Sequence, residues 1–325
     1  MSAPTVIVGE CLAELRRLPF ESVQCCVTSP PYWQLRDYKH ADQLGLEPTP
    51  AQYVERLVAI LEEVRRVLRP DGTLWLNLGD TYSSSGHGGP GNKADRRDAW
   101  REGSALKRDR TTPPGFRPKQ LVGVPWRVAL ALSDAGWLLR QDIIWAKPNP
   151  MPESVTDRCV RSHEHLFLLT KGPHYFFDHK AIREKAVHGY GSGTAGYKPP
   201  GQPAHKGLRK PKHDNGHLCS GLAAADRAGA EERNSRDVWT IAPAQSDVDH
   251  YAVMPEALAA RCIAAGSKPG DTVLDPFLGS GTVAVVAHRM DRKTIGIELN
   301  PEYAALARIR LDVETRQARL FGGEP

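Results

Sequence analysis

Asp271-Thr272-Val273-Leu274-Asp275-Pro276-Phe277-Leu278-Gly279-Ser280-Gly281-Thr282 is the stretch that decides the fold. Its first five residues read as a short strand rich in β-branched and apolar side chains. Pro276 to Thr282 is a glycine-rich turn, Val283 to Arg289 a helix, and Thr294-Ile295-Gly296-Ile297-Glu298 a second strand ending in an acid. Strand, glycine turn, helix and strand make the repeating unit of a Rossmann-like α/β sheet. The turn offers a nest of backbone N–H groups to a bound cofactor. A carboxylate at the second strand's end can accept from two ribose hydroxyls.

Gly279-x-Gly281-x-x-Ala284 also satisfies the dinucleotide pattern G-x-G-x-x-A, so an NAD-dependent enzyme competes. Asp275 ends the strand just before the turn, and the bulky Phe277 precedes Gly279. A pyrophosphate is poorly served by a carboxylate and a large ring so close. A cation tolerates both, and S-adenosylmethionine offers such a site an ammonium and a sulfonium.

Ser29-Pro30-Pro31-Tyr32 follows the apolar run Val23-Gln24-Cys25-Cys26-Val27, a buried strand by its composition. Two prolines end such a strand, since neither donates to the ladder and both fix φ. The turn exposes a hydroxyl, a fixed carbonyl and an aromatic ring at the edge of an α/β sheet where ligands bind. An extruded nucleobase needs that set: acceptors for its amino group and a ring to stack on. A plain proline turn with a buried Tyr is the competing reading.

Outward from these motifs, Thr5 to Val8 reads as a strand and Cys11 to Leu18 as a helix. Ala51 to Leu68 has an apolar helical face, Arg69-Pro70-Asp71-Gly72 reads as a stop and turn, and Thr73 to Leu78 is the next strand. Pro125 to Ala135 and Glu256 to Ala265 are helices; Leu138 to Trp145 and Arg161 to Thr170 are strands. Residues 83–118 are rich in Gly, Ser, Lys and Arg and predict a mobile basic loop that grips phosphates. Residues 186–236 lack apolar periodicity and are rich in Gly, Pro, Lys, Arg and His. A net charge of +5 over 325 residues is mild, so the placement of these basic segments matters more than the total. The six cysteines form no C-x-x-C pair, which argues for buried thiols in a reducing compartment and against zinc. No metal site is expected, and His163-Glu164-His165 reads as structural. No apolar run reaches membrane-spanning length, so a cytoplasmic, nucleoid-associated protein is expected.

The two motifs together resemble the catalytic and cofactor motifs of amino-group DNA methyltransferases. Their order, catalytic motif first, resembles the permuted beta class, SPPY type. Gly9-Glu10-Cys11-Leu12 resembles the segment that contacts the cofactor adenine, with Glu10 where the family usually has Asp. His250-Tyr251-Ala252-Val253-Met254-Pro255 resembles the segment that holds the methionine end, and Gly296-Ile297-Glu298-Leu299-Asn300 the ribose-binding strand end.

The resemblance implies a permuted Rossmann-like α/β methyltransferase fold with an inserted target-recognition region. Taken with the composition of the two basic segments, which the resemblance itself does not reach, it divides the chain into a catalytic half at 1–82 and 119–185, the basic loop at 83–118, a target-recognition region at 186–236 and a cofactor half at 237–325. It implies Ser29, Pro30, Pro31 and Tyr32 as catalytic. It implies Glu10, Cys11, His250, Pro255, Asp275, Pro276, Phe277, Gly279, Ser280, Gly281, Thr282, Glu298, Leu299 and Asn300 as residues holding S-adenosylmethionine. Double-stranded DNA is the implied partner, and a cognate restriction endonuclease is compatible with it. Ser at the first position is typical of cytosine-N4 enzymes, whereas Asp or Asn is typical of adenine-N6 enzymes; Ser29 favours cytosine N4 and leaves adenine N6 open. A catalytically silent DNA-binding relative and an RNA methyltransferase stay open as well. Cytosine-C5 chemistry needs a thiolate on the catalytic loop, and no Pro-Cys dipeptide exists here.

Overall fold

The computed structural model describes residues 4–38, 40–83, 112–185, 232–244 and 253–321. Most of the expected basic loop, most of the expected recognition region and His250 fall outside the described residues. The chain divides into two compact units, one of residues 1–178 with 236–325 and one of 179–235.

The elements of the larger unit begin with β1 (Thr5–Val8), α1 (Cys11–Arg17), β2 (Val23–Thr28), α2 (Pro50–Val67) and β3 (Leu68–Leu78). They continue with α3 (Val124–Asp134), β4 (Leu138–Ala146) and β5 (His163–Thr170). The smaller unit contributes β6 (Glu184–Lys185) and β7 (Glu232–Arg233), an antiparallel pair on its own. The larger unit then resumes with β8 (Val238–Thr240), α4 (Glu256–Gly266), β9 (Thr272–Asp275), α5 (Thr282–Arg289), β10 (Lys293–Glu298) and α6 (Pro301–Phe321).

Among the described residues one eight-stranded sheet runs β1-β10-β9-β2-β3-β5-β4-β8. The pairs from β1 to β3 are all parallel; β5 runs antiparallel between β3 and β4. Every residue of β2 is buried, as befits a central parallel strand covered on both faces. Its alternation sorts the faces: Cys26 joins the core built by Leu15, Leu57, Leu61, Val64 and Val128. Cys25 faces α4, where a side chain at Gly266 would come within 2.7 Å of its sulfur.

Progression from β9 to β10 goes one way along the sheet, and from β2 to β3 the other. The crevice between β9 and β2 is therefore a topological switch point, where α/β sheets bind ligands.

One expectation needs correcting. Arg69-Pro70-Asp71-Gly72 does not separate α2 from the next strand; Leu68–Leu78 is one strand entered directly from the helix. Leu68 pairs with Val23 and Thr73 with Cys25, so the extra residues between form a bulge. Pro70, which has no N–H, sits there without breaking the ladder. The Gln24 amide also holds the bulge by donating to the Asp71 carbonyl at 3.3 Å. A second element, α6, is unread by apolar patterning because its exposed face is long and charged. Its start is legible in Asn300-Pro301-Glu302, where the Asn300 side chain accepts from the Glu302 amide at 2.8 Å.

Candidate active site

Strands β2 and β9 run side by side, so their C-terminal ends open onto the same crevice. The Thr28 hydroxyl donates to Asp275 Oδ1 at 2.7 Å, joining residues 247 apart in the chain. The cavity there takes Glu10 and Cys11 from the β1–α1 junction and Ser29 and Pro31 from the end of β2. Asp275, Pro276, Phe277, Gly279, Ser280 and Thr282 come from the glycine turn, and Glu298, Leu299 and Asn300 from the end of β10. Val253 and Met254 add to the wall. Pro255 does not line the cavity and serves as the N-cap position of α4. Gly281 lies behind the wall, where φ of +87° and a contact with α6 both demand glycine: a Cβ would meet that of Ala307 at 2.8 Å.

The wall is acidic, and burial strains its charges. Asp275 is 4% exposed, and burial pushes its carboxyl up to about 7. The Thr28 hydroxyl and the Phe277 amide, at 3.0 Å, oppose that rise. Burial also raises Glu298, against the amides of Asn300 at 2.9 Å and Gly279 at 2.7 Å. Glu10 folds back to cap α1, accepting from the amides of Leu12 at 3.0 Å and Ala13 at 2.8 Å. An anionic pyrophosphate is repelled by such a wall, whereas a cation relieves the buried carboxyl. The donor set therefore fits S-adenosylmethionine better than a dinucleotide.

The side at the end of β2 is built differently. The Ser29 hydroxyl donates to the Tyr32 hydroxyl at 3.2 Å, which donates to Glu164 Oε2 at 2.6 Å. Asn77 Nδ2 donates to the Tyr32 hydroxyl at 2.5 Å and to Glu164 Oε2 at 2.7 Å. Lys147 Nζ binds the other Glu164 oxygen and sits over the Trp145 ring, 4.4 Å from its centroid. The Tyr32 ring presses on Gly79, where a Cβ would come within 2.6 Å of it. Asn77 Oδ1 is buried with no partner among the described residues, an arrangement that typically costs ~1–3 kcal/mol.

Pro30 is buried, and Tyr53 donates to the Pro31 carbonyl at 2.9 Å, fixing the turn. Trp33 belongs to the core: it is 2% exposed and its indole donates to the Glu47 carbonyl at 2.9 Å. His165 is bonded to Asp142 at 3.0 Å and stacked on Phe167.

Sequence reading misses Asn77 and Glu164. The signal for Asn77 is a polar residue within the all-buried run Leu74–Leu78. Glu164 is hidden between two histidines that draw attention as ligands. Tyr38, Leu44 and Tyr303 also line the cavity, with the rings of Tyr38 and Tyr303 edge to face at 6.5 Å. Only the fold brings them there.

A mixed sheet with this switch point, a glycine turn and an SPPY turn defines an α/β methyltransferase. The chain belongs to the DNA methylase family N6_N4_Mtase, whose model matches residues 23–308. It is 44% identical over 314 residues to the Type II methyltransferase M.Cfr9I of Citrobacter freundii, covering 97% of this chain and 89% of that one. Among solved structures it resembles PvuII DNA methyltransferase (cytosine-N4-specific), with a TM-score of 0.61 at 20% identity over 100% of this chain and 94% of that one. It also resembles TTHA0409, a putative DNA modification methylase of Thermus thermophilus solved with S-adenosyl-L-methionine. That match has a TM-score of 0.58 at 22% identity over 96% of this chain and 94% of that one. The expected permuted methyltransferase fold is thereby borne out.

Proposed function

We propose that this protein moves a methyl group from S-adenosylmethionine to the exocyclic N4 amine of cytosine in duplex DNA. The observation that carries the reading is the pairing of β2 with β9, which brings Ser29 into the wall of the same cavity as Asp275 and Glu298. The Ser at the head of the SPPY turn supports cytosine over adenine, and the structural neighbour from PvuII carries that specificity in its name.

Glu298 has lone pairs left for ribose hydroxyls, and Asp275, beside a positive charge, regains its ionised form. The turn from Pro276 through Thr282, with Leu299 and Asn300, encloses the cofactor. Glu10 and Cys11 attend its adenine end; His250 and Pro255 belong to the segment assigned to its methionine end. S-adenosylmethionine supplies an electrophilic methyl group on sulfur. The amine of cytosine is a poor nucleophile because its lone pair is delocalised. The Ser29 hydroxyl oxygen and the Pro30 carbonyl accept its two hydrogens and draw the nitrogen toward tetrahedral geometry. Holding the partners in line is the main contribution, worth on the order of 7–11 kcal/mol in favourable systems. Tyr32 stacks on the flipped base and offsets an unstacking cost of roughly a few kcal/mol.

No thiolate attack takes part. Cys25 and Cys26 are fully buried within β2, and burial holds the Cys25 thiol neutral up to about 12. After transfer, the product amine loses its extra proton to water.

The basic segments 83–118 and 186–236 are assigned to DNA, the second as the target-recognition region, between the catalytic halves 1–82 and 119–185 and the cofactor half 237–325. Affinity then falls steeply with salt, and neutralising Arg96, Arg97, Lys107 and Arg108 flattens the slope. No helix among the described residues is long and apolar enough to cross a membrane. Action on cytoplasmic, nucleoid DNA, alongside a cognate restriction endonuclease, completes the reading.

Nucleoside analysis of unmodified DNA treated with protein and S-adenosylmethionine decides it. N4-methylcytosine is expected. N6-methyladenine alone transfers the reading to the other amine, 5-methylcytosine overturns the mechanism, and no product with intact cofactor binding indicates a silent relative.

A further inference from the structure

We propose that Glu164 is a positioning residue that fixes the direction of the hydrogen-bond chain through Tyr32 to Ser29, and so makes Ser29 an acceptor toward the substrate. The inference rests on the assignment of Ser29 as the group that meets the target amine.

Donors and acceptors along the chain can be matched in only one direction. Lys147 Nζ has only hydrogens to give, and it lies against one oxygen of Glu164. The other oxygen, Oε2, can only accept, and it faces both the Tyr32 hydroxyl at 2.6 Å and Asn77 Nδ2 at 2.7 Å. The single Tyr32 hydroxyl hydrogen is thereby committed to Glu164. The phenolic oxygen then presents only lone pairs, one taken by Asn77 Nδ2 at 2.5 Å and one facing Ser29 at 3.2 Å. The Ser29 hydroxyl hydrogen must point at Tyr32, because no other acceptor is bonded to it among the described residues. Both lone pairs of Ser29 Oγ are left for the cavity, apart from a long contact with Asn77 Nδ2 at 3.5 Å.

A hydroxyl alone can give or accept with equal ease, and would serve the O4 carbonyl of thymine or uracil as well as the amine of cytosine. A hydroxyl whose hydrogen is locked away serves only a donor. The chain thus converts an ambiguous group into one that selects an amine and withdraws its hydrogens. The strand registers that build it are Asn77 opposite Leu166 on β3–β5 and Glu164 opposite Trp145 on β4–β5. The antiparallel strand β5 is what carries Glu164 to the SPPY turn. Neither Glu164 nor Asn77 lines the cavity, so both act through Tyr32 and Ser29.

The test compares the full-length wild type with Glu164→Gln, Tyr32→Phe and the double variant, each saturated with S-adenosylmethionine and DNA. Gln keeps the shape but can present an N–H to Tyr32, which frees the chain to reverse. Phe keeps the ring that stacks and removes the hydroxyl that relays. Each single variant is expected to lower the single-turnover methylation rate about 10–100-fold, with cofactor affinity and KM for DNA unchanged within twofold. The double variant should be no slower than the worse single one, because both break the same chain. Glu164→Asp, which retains the acceptor, should recover part of the rate.

A wild-type rate in Glu164→Gln overturns the proposal, as do multiplicative losses in the double variant. If Glu164→Gln does not fold, Tyr32→Phe decides alone, and an undiminished rate there overturns the proposal. Failure of the underlying reading looks different: the wild type itself would then give no N4-methylcytosine.

Discussion

The two walls of the crevice solve different problems with different materials. The proposed cofactor side, from β9 to the end of β10, is made largely of backbone: left-handed glycines, the amides of Phe277, Gly279 and Asn300 turned onto carboxylates, and those two carboxylates strained by burial. The base side, at the end of β2, is made of side chains from four strands and turns: Ser29 and Tyr32, Asn77, Lys147 and Glu164. A backbone site depends on local sequence, since a glycine turn shapes itself. A side-chain network depends on register between distant strands. In the reading proposed above, the first recognises a ligand that is always the same, and the second sets the direction of one proton.

Substitutions that touch one wall should spare the other. The largest effect is expected for Ser29→Ala, which removes an acceptor from the amine. The single-turnover rate should fall by about 10²–10³, with cofactor binding by calorimetry unchanged. An equal loss in both measurements would erase the division between the walls. Glu298→Ala is the mirror experiment. Losing charged hydrogen bonds of ~1.5–3 kcal/mol should weaken S-adenosylmethionine about 10–100-fold, while the rate at saturation stays near wild type.

Gly281→Ala tests the backbone itself. A φ of +87° and the approach of Ala307 should cost ~1–3 kcal/mol, read as a lower midpoint of thermal unfolding. The smallest effect concerns pH. The Asp275 carboxyl titrates near 7 in the folded protein, above an unfolded value of about 3.9. Its contribution to stability is therefore greatest at low pH and is lost as pH rises from about 4 through 7. Cofactor binding runs the other way, because a cation favours the ionised carboxyl. Affinity should fall as pH drops below 7, by at most about tenfold per unit, and Asp275→Asn should flatten the profile. A flat wild-type profile would show that Asp275 does not meet the positive charge.

This contrast also explains what could be read without coordinates. The strand, glycine turn, helix and strand of residues 271–298 are legible because each step has its own local signature. So is the strand that ends in Ser-Pro-Pro-Tyr. The sequence of elements around them is legible from apolar spacing, apart from the bulge at Pro70, where turn residues lie inside a strand, and from α6, whose charged exposed face hides its apolar stripe. Asn77 and Glu164 are not legible. Each is one polar residue near the end of an apolar strand, and only the insertion of β5 between β3 and β4 makes them neighbours of Tyr32. The cavity residues Tyr38 and Tyr303 come from a loop and a helix start that no spacing rule connects.

The hydrogen bond between Thr28 and Asp275 also sets a timetable. Its partners are 247 residues apart, so β2 leaves the ribosome long before β9 exists. At about 5–20 residues per second the wait is roughly 12–50 s. During it, one edge of a wholly buried strand can pair with β3 while the other stands open, a surface that invites chaperones or aggregation. Pairings between such distant segments are also slow to form in refolding, since a long loop must close first. Rejoining the chain so that residues 256–321 come before β1 would place β9 and β2 far closer in sequence. Such a rearranged chain should refold faster and reach the same crevice.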